Sequence, residues 1–238
     1  MKAPRNAECD EKLIHQLHPR SPVVESFRIL RANLRFVSVD QPLRTLLVTS
    51  ALPMEGKSLV AANLAIAVAQ SGDPVVLVDG DLRRPILHSM FGLPQNPGLT
   101  TLVVRGNQGP SLEAALGRPL PRLAVLPAGP VPPNPTELLA SRSMAEVLRR
   151  LTQEGNLVII DSPPVLSLAD AAVIAAQCDG TVLVVQAHQT PYPAVQKAKE
   201  VLSTARARIL GVVLDRVRMG RRDYYYYYYY HRKPAPKT

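Results

Sequence analysis

The sequence predicts an α/β fold: a doubly wound, mostly parallel β-sheet of the P-loop NTPase type. From Leu43 onward, short runs rich in Val, Ile and Leu alternate with longer helical stretches, a pattern typical of a sheet with helices on both faces. The short runs lack the polar alternation of half-exposed strands, which indicates that both faces of the sheet are covered. A glycine and lysine loop lies between the first run and the helical stretch after it, in the strand-loop-helix order that such a phosphate-binding loop requires.

The elements follow in order along the chain. Residues 1–20 have mixed charge and no clear period, which predicts a mobile N-terminal arm. Residues 21–38 are predicted to form an amphipathic helix, with Ser21 as N-cap and Pro22 at the first helical position. The folded domain is predicted to span residues 21–218, followed by a flexible, basic and tyrosine-rich tail, 219–238. The alternating segments of the domain are "TLLVTS", "KSLVAANLAIAVAQSG", "PVVLVDGD", a loop-rich middle, "RLAVLPAG", "PTELLASRSMAEVLRRLTQ", "NLVIIDSPP", "LADAAVIAAQ", "GTVLVVQA", "YPAVQKAKEVLSTA" and "RILGVVLDRV".

Composition limits the surroundings and partners of the protein. The 238-residue chain has a formal net charge of +9, which favours anionic partners such as nucleotides, acidic lipids, acidic protein segments or nucleic acid. No apolar run approaches the roughly 20 residues that span a bilayer, and the N-terminus lacks the apolar core of a secretory signal, so we expect a cytoplasmic protein. Cys9 and Cys178 lie too far apart in sequence to suggest a disulfide framework or a zinc site.

The segment "ALPMEGKS" matches the phosphate-loop pattern G-x-x-x-x-G-K-[ST], except that Ala51 replaces the first glycine. Backbone N–H groups of such a loop surround the phosphates, and Gly56 lets the backbone approach them closely. Lys57 is placed to reach the β- and γ-phosphates, and Ser58 to hold Mg²⁺. The alternative interpretation of this segment is a structural turn with a solvated lysine. The predicted nucleotide-binding residues are Pro53, Met54, Glu55, Gly56, Lys57, Ser58 and Leu59.

Three aspartates support a nucleotide site. Asp79 and Asp81 end the apolar run "VVLVDGD", and Asp161 ends "LVIID". Because the carboxyl ends of neighbouring parallel strands meet at one edge of a sheet, we expect these carboxylates beside the phosphate loop, where they can orient Mg²⁺ and accept a proton. An aspartate at a strand end is often only a turn former or helix cap, but that interpretation does not explain all three together with the lysine loop.

These motifs resemble those of the bacterial tyrosine kinases that govern capsule and exopolysaccharide production. The resemblance extends from about Val24 to the end of the chain. "SALPMEGKS" is similar to the family's Walker A motif, "VVLVDGDLRRP" to its second aspartate motif (Walker A′) and "LVIIDSPP" to its Walker B motif; "LPAGPVPPNPTELLAS", "ESFRILR" and the C-terminal tyrosines resemble further family segments. The family shares its fold with partition and division-site ATPases. Those proteins carry a signature lysine where this chain has Leu52, so the resemblance favours a kinase.

The resemblance implies a role for the tyrosines. In the family, the tail of one subunit is the substrate of a neighbour's active site, and the ring of subunits loosens as phosphates accumulate. The helix with Glu25, Arg28 and Arg31 would then close the ring, although an exposed Glu/Arg pair is the simpler interpretation. A repeat expansion without a role is the alternative origin of the tyrosine run. The implied phosphoacceptors are Tyr224, Tyr225, Tyr226, Tyr227, Tyr228, Tyr229 and Tyr230.

The implied reaction is transfer of the γ-phosphoryl group of ATP to a tyrosine hydroxyl, with Mg²⁺ as cofactor. Lys57 and Mg²⁺ would neutralise charge on the transferred group, and Asp79 or Asp81 would accept the phenolic proton. Asp161 would organise the magnesium shell. Asp215 stands where the family has an asparagine that binds the adenine edge, and its carboxylate suits adenine N6 or the two donors of guanine. The implied metal-binding residues are Ser58, Asp79, Asp81 and Asp161.

The resemblance also implies partners and a location. The chain resembles the split form of the kinase, which lacks its own transmembrane hairpin and is stimulated by a membrane-anchored activator, a polysaccharide co-polymerase. We therefore expect a homo-oligomeric ring, a cognate tyrosine phosphatase, no nucleic acid, and a cytoplasmic location at the inner face of the cell membrane through the activator. The alternatives are a nucleotide-switched scaffold without kinase activity, and an ATPase that acts on a membrane or DNA surface through the basic tail.

Overall fold

The computed structural model of the chain describes residues 13–19, 21–37, 41–153 and 156–217. The strands are β1 (Thr45–Ser50), β2 (Val75–Asp79), β3 (Gly117–Leu120), β4 (Leu123–Leu126), β5 (Leu157–Asp161), β6 (Gly180–Gln186) and β7 (Ile209–Asp215). The α-helices are α1 (Pro22–Val37), α2 (Lys57–Ala69), α3 (Leu87–Met90), α4 (Leu99–Arg105), α5 (Leu112–Ala115), α6 (Pro135–Leu139), α7 (Arg142–Thr152), α8 (Asp170–Ala175) and α9 (Tyr192–Thr204), with short 3₁₀ helices at Ile14–Gln16 and Gly106–Gln108. In these residues no helix is both long and apolar enough to cross a bilayer.

The strands form one sheet in the order β3-β4-β2-β5-β1-β6-β7, in which every neighbouring pair is parallel except β3 and β4. The prediction of a doubly wound, mostly parallel sheet is confirmed. Asp79 and Asp161 are register partners at the ends of β2 and β5, and β1 lies on the other side of β5. The loop after Ser50 therefore starts at the same edge of the sheet as these two carboxylates, where ligands of such folds bind.

Apolar residues fill a layer on each face of the sheet. One layer lies under α1, α2 and the first 3₁₀ helix and includes the fully buried Leu64 and Ile66. The other lies under α4 and α6–α9 and includes Leu148 and Leu202. Because nearly every residue of α2 after its first turn is buried, this helix has no polar face. The apolar strands β1, β2, β4, β5 and β6 are thus covered on both sides, as their sequence predicts. The edge strand β7 is not, since Val212 is 52% and Leu214 59% exposed.

The folded part of the chain begins earlier than the sequence predicts. Leu13 is 0% and Ile14 2% exposed, and both pack in the layer beside α2. The Ile14 N–H donates to the buried Asn63 Oδ1 at 2.9 Å. The prediction of a mobile arm through residue 20 is therefore wrong for segment 13–17. Two adjacent apolar residues are too short a signal to show a helical or strand period.

Two other segments differ from the prediction. The stretch "PTELLASRSMAEVLRRLTQ" forms α6 and α7 instead of one helix, because Ser141 begins the second as its N-cap and its hydroxyl accepts from the Met144 N–H at 3.1 Å. In the loop-rich middle, the short strand β3 pairs antiparallel with β4. Its sequence, "GRPL", has no strand pattern, so its strand conformation depends on pairing with β4 at the edge of the sheet.

We expect Ile14→Ala to lower the free energy of unfolding by about 2–5 kcal/mol, because it leaves a cavity beside α2. Urea denaturation followed by circular dichroism measures this change. Val23, 46% exposed on α1, provides the control: Val23→Ala should change stability by less than about 0.5 kcal/mol. Equal stability of Ile14→Ala and the wild type would show that segment 13–17 is not part of the core.

Candidate active site

The P-loop between β1 and α2 has a shape that requires glycine before its lysine. Gly56 has a φ of +87°, in the left-handed region that favours glycine. A Cβ on Gly56 would lie 2.4 Å from Asp215 Oδ2, so glycine is also needed for space. The first turn of α2 has no capping side chain. Its N–H groups are therefore available to an anionic ligand.

The ammonium group of Lys57 lies among carboxylates at the base of this loop. Its Nζ is 3.3 Å from Asp81 Oδ2, 3.6 Å from Asp161 Oδ1 and 3.1 Å from Ser58 Oγ. Burial by itself would lower the pKa of Lys57, but the negative charges of Asp161, Asp81 and Asp79 outweigh it and raise that pKa. Lys57 therefore stays protonated. The structure brings the predicted lysine, serine and three aspartates together in one cluster.

Asp79 and Asp161 are fully buried below this lysine. Asp79 Oδ2 accepts from the Ile86 and Leu87 N–H groups, each at 3.0 Å. Among the described residues, Asp79 Oδ1 and both oxygens of Asp161 have no hydrogen-bond partner. Burial, together with the charge of Asp161, raises the pKa of Asp79 to about 8, and burial also raises the pKa of Asp161. Carboxylate oxygens that accept no hydrogen bond suit a hard cation such as Mg²⁺.

Glu55 points into the protein rather than toward a ligand. Its side chain is almost completely buried, its Oε2 accepts from the Leu52 N–H at 2.7 Å, and its Oε1 accepts from the Thr190 hydroxyl. Thr190 Oγ1 in turn accepts from the Gln186 N–H at 3.1 Å. Glu55 therefore ties the P-loop to the segment between β6 and α9. A bound nucleotide would meet the backbone of Glu55, not its carboxylate.

Asp215 ends β7 directly beside the P-loop. Its Oδ2 is 3.4 Å from Arg216 Nε, and Arg216 Nη2 is 3.5 Å from the Met54 carbonyl oxygen. This pairing partly offsets the charge of Asp215. Sequence reasoning missed Arg216, because a single arginine after a strand carries no motif. The contact of Asp215 with a nucleotide base stays a prediction.

Arg83 is an exposed residue whose guanidinium group binds other segments of the fold. Its Nε donates to Asp170 Oδ2 at 2.8 Å, and its Nη2 donates to Thr136 Oγ1 at 3.2 Å. Burial by itself would raise the pKa of Asp170, but the hydrogen bonds from Arg83 and Thr136 lower it. The buried carboxylate of Asp170 thus joins the segments "LRRP", "NPTELL" and "LADAA". Sequence reasoning missed Asp170, since it belongs to no recognised motif.

A cavity of about 640 Å³ lies above the cluster, a size typical of small-ligand sites. It is lined by most of the predicted nucleotide-binding residues: Pro53, Met54, Gly56, Lys57, Ser58 and Leu59. Asp81, Arg83 and Arg84 also reach it. Its further lining residues, which sequence reasoning did not single out, are Ile86, Pro163, Pro164, Ser167, Leu168 and Arg216.

Two groups of predicted residues, the C-terminal tyrosines and three residues of α1, lie outside this cluster. The segment Tyr224–Tyr230 lies outside the described residues. On α1, Glu25 Oε2 pairs with Arg28 Nη1 at 3.1 Å on the surface. Arg31 instead points toward α2, where its Nη1 donates to the Ala67 carbonyl at 3.1 Å. The three side chains therefore do not form one exposed patch, and the role of this helix in oligomerisation stays a prediction.

Comparisons with known proteins bear on the family. A scan against protein-family models found no match. The chain is 39% identical over 212 residues to the tyrosine-protein kinase YwqD of Bacillus subtilis (strain 168), which covers 89% of this chain and 88% of YwqD. This chain belongs to the bacterial tyrosine kinase family. The kinase is also similar to the crystal structure of the chimerical protein CapA2B2, with a TM-score of 0.82 and 38% identity over 88% of this chain and 91% of that one.

The kinase also shares its fold with a septum site-determining protein. The septum site-determining protein MinD from Pyrococcus horikoshii OT3, solved with Mg-ADP, matches it with a TM-score of 0.61 and 26% identity over 76% of this chain and 73% of that one. The expected structural kinship with division-site proteins is therefore confirmed.

Gly56→Ala tests the shape of the P-loop, with Gly72→Ala as its matched control. Both glycines have positive φ, +87° and +92°, but a Cβ on Gly72 would meet nothing within 4 Å. We expect each substitution to lose about 1–2 kcal/mol of stability from backbone strain. Only Gly56→Ala should lose ATP affinity, by about tenfold or more, equal to 1.4 kcal/mol or more. Fluorescent-nucleotide titration and thermal denaturation measure both effects; unchanged affinity in Gly56→Ala would contradict this role of the loop.

Asp79 makes the stability of the nucleotide-free kinase depend on pH. Because folding raises its pKa to about 8, the folded state favours the protonated carboxyl. The resulting stability is fully present below the pKa of the unfolded chain, about 3.9, and is lost as the pH rises through about 8. We expect stability to fall between about pH 5 and pH 8, and Asp79→Asn to weaken that fall. Urea denaturation across this range measures it, with the exposed Glu200→Gln as control; an unaltered pH profile in Asp79→Asn would argue against the raised pKa.

Proposed function

We propose that the protein is an ATP- and Mg²⁺-dependent protein-tyrosine autokinase that phosphorylates the C-terminal tyrosines of neighbouring subunits and so regulates capsule or exopolysaccharide synthesis and export. The observation that carries this proposal is the cluster of Lys57, Asp79, Asp81 and Asp161 beneath a P-loop cavity. The similarity to YwqD, a tyrosine-protein kinase, supports the same activity.

The residues of the cluster fit Mg²⁺ bound together with a nucleotide. Within the described residues, Asp79 Oδ1 and Asp161 Oδ2 accept no hydrogen bond, and Asp161 Oδ1 has only the ion pair with Lys57. Ser58 Oγ lies next to Lys57. No group of three or more acidic, His or Cys side chains in the described ranges forms a complete metal cage. Mg²⁺ usually binds through one or two carboxylates and the phosphates of the substrate. Ser58, Asp79, Asp81 and Asp161 would therefore hold Mg²⁺, which supplies positive charge to the phosphates.

The chain's own residues bind and position the reacting groups. The N–H groups of the P-loop and the first turn of α2 donate to the phosphate oxygens, and protonated Lys57 neutralises charge on the transferred group. We assign the acceptance of the phenolic proton to Asp81, because Asp81 lines the cavity whereas Asp79 is fully buried and bound to two N–H groups. Since the pKa of tyrosine is near 10, a carboxylate is a weak base for it, and positioning supplies most of the rate.

The tail acts as substrate and charge switch in this proposal. Arg216 lines the cavity, so the last residues before the tail that the structure describes lie at the edge that carries the site. Each phosphotyrosine adds a charge of about −1.5 to −2. A few phosphates would therefore reverse the charge of the basic tail and change what it binds. The half-buried Glu25 and the exposed Arg28 on α1 would contact the neighbouring subunit of a ring. A membrane-anchored activator and a cognate phosphatase would set the level of phosphorylation.

Mass spectrometry of the protein expressed in a host without tyrosine kinases tests this function. We expect additions of about 80 Da per phosphate mapped to Tyr224–Tyr230 in the wild type and absent in Lys57→Met, because Lys57 neutralises the transferred group. Lys199→Met, a change at an exposed lysine of α9, is the control and should be phosphorylated like the wild type.

One outcome would contradict the proposal directly. If the wild type carries no phosphotyrosine even with ATP, Mg²⁺ and a candidate activator segment added, the kinase function is wrong. The nucleotide-switched scaffold would then be the better account.

A further inference from the structure

The edge of the sheet opposite to the cavity is strongly basic. We call it the amino edge, because the parallel strands begin there. Arg44, Arg122 and Arg208 belong to it: their carbonyl oxygens accept from the N–H groups of Val158, Val75 and Thr181, at 2.8, 3.0 and 2.8 Å. Arg150 joins Arg122 in lining one cavity on this edge, and Arg149 joins Arg44 in lining another.

Four acidic side chains of the amino edge that the structure describes have partners. Glu113 pairs with Arg118 at 2.7 Å and Glu146 with Arg149 at 2.6 Å. Asp179 Oδ2 accepts from the backbone N–H groups of Arg44 and Thr45 at 2.9 and 2.8 Å, and Asp73 pairs with Arg35.

Four arginines of this edge form no ion pair with a described residue. In the described part of the chain, no ion pair involves the side chains of Arg44, Arg122, Arg150 or Arg206. Arg44, Arg122 and Arg206 are exposed and Arg150 is half-buried. Within the described ranges, the amino edge thus presents guanidinium groups that no ion pair neutralises, with the carboxylate of Asp179 beside Arg44 in one cavity.

Two exposed apolar residues lie at the same edge. Phe36 is 76% and Val37 45% exposed at the end of α1. Their position is fixed by Arg208, whose Nη2 donates to the Val37 carbonyl at 3.1 Å, and by the pairing of Arg35 with Asp73 just before β2. Phe36 and Val37 thus form an exposed apolar pair on this basic edge, next to Arg35 and Arg208.

We propose that the amino edge binds an anionic lipid surface directly. Its arginines donate to headgroup phosphates, which the guanidinium group matches in geometry, and Phe36 and Val37 enter the boundary between headgroups and acyl chains. Basic residues around an exposed apolar pair are typical of peripheral membrane contact. A nucleic acid duplex would use the arginines but not the apolar pair, so the surface favours lipid. This contact goes beyond attachment through a partner, and it would turn the cavity and the start of the tail away from the membrane.

Vesicle co-sedimentation of the full chain tests the proposal. Vesicles of phosphatidylcholine alone are compared with vesicles that also contain phosphatidylglycerol. We expect binding only to the anionic vesicles and a loss of about 100-fold in the triple variant Arg44→Gln, Arg122→Gln, Arg150→Gln, from about 1 kcal/mol per basic residue. Phe36→Ser should lose about tenfold, and this exposed single change keeps the test available if the triple variant does not fold. High salt should remove the arginine-dependent part of the binding.

The control triple variant is Arg105→Gln, Arg142→Gln, Lys199→Gln, which removes the same charge from exposed residues away from the amino edge. It should bind like the wild type. Equal losses in both triple variants would show that binding depends only on the net charge of the protein, and would overturn the proposal. If binding disappears only when residues 218–238 are removed, the tail binds the vesicles and the proposal is wrong. Duplex DNA binding without vesicle binding, or a Phe36→Ser defect in self-association alone, would also overturn it. None of these readouts depends on phosphotyrosine formation, so the result is independent of the proposed kinase activity.

Discussion

Three buried or nearly buried carboxylates share one lysine at the carboxyl edge of the sheet, and the site depends on this imbalance of charge. Parallel pairing of β2 with β5 sets Asp79 opposite Asp161, and the turn after β2 adds Asp81. Burial, together with repulsion from the neighbouring carboxylates, raises the pKa values of Asp79 and Asp161, because Lys57 offsets only part of the charge. Buried charge of this kind is costly unless a cation or a proton compensates it. A fold that keeps such a cluster is suited to a ligand that brings its own positive charge, as a magnesium nucleotide does.

A second layer of buried polar contacts keeps this cluster in place. Glu55 fixes the P-loop to Thr190 on the segment after β6, and Asp170 holds Arg83 at the side of the cavity. Neither carboxylate is placed to touch a phosphate. Their importance lies in position, because phosphoryl transfer depends mainly on the alignment of groups that a rigid site provides.

The sequence predicts the parts of this structure that have a local signal. Apolar runs located the six parallel strands, and the motif around Gly56 and Lys57 located the P-loop, because strand burial and phosphate binding each demand particular residues at fixed spacing. Contacts between distant segments have no such signal. The inward turn of Glu55, the pairing of Arg83 with Asp170 and the burial of Leu13 and Ile14 follow only from the assembled tertiary structure. The helix with Glu25, Arg28 and Arg31 shows the same limit, since spacing alone did not reveal that Arg31 binds its own subunit.

Transfer between subunits is tested most directly with two chains, one without the catalytic lysine and the other without the tail tyrosines. A Lys57→Met chain with its tail intact is mixed with a chain in which Tyr224–Tyr230 are replaced by phenylalanine, together with ATP and Mg²⁺. The account predicts phosphotyrosine on the tail of the Lys57→Met chain, formed at a rate that rises with the concentration of the other chain. No phosphotyrosine in the mixture, under conditions in which the wild type phosphorylates its own tail, would contradict transfer between subunits by the Lys57 site.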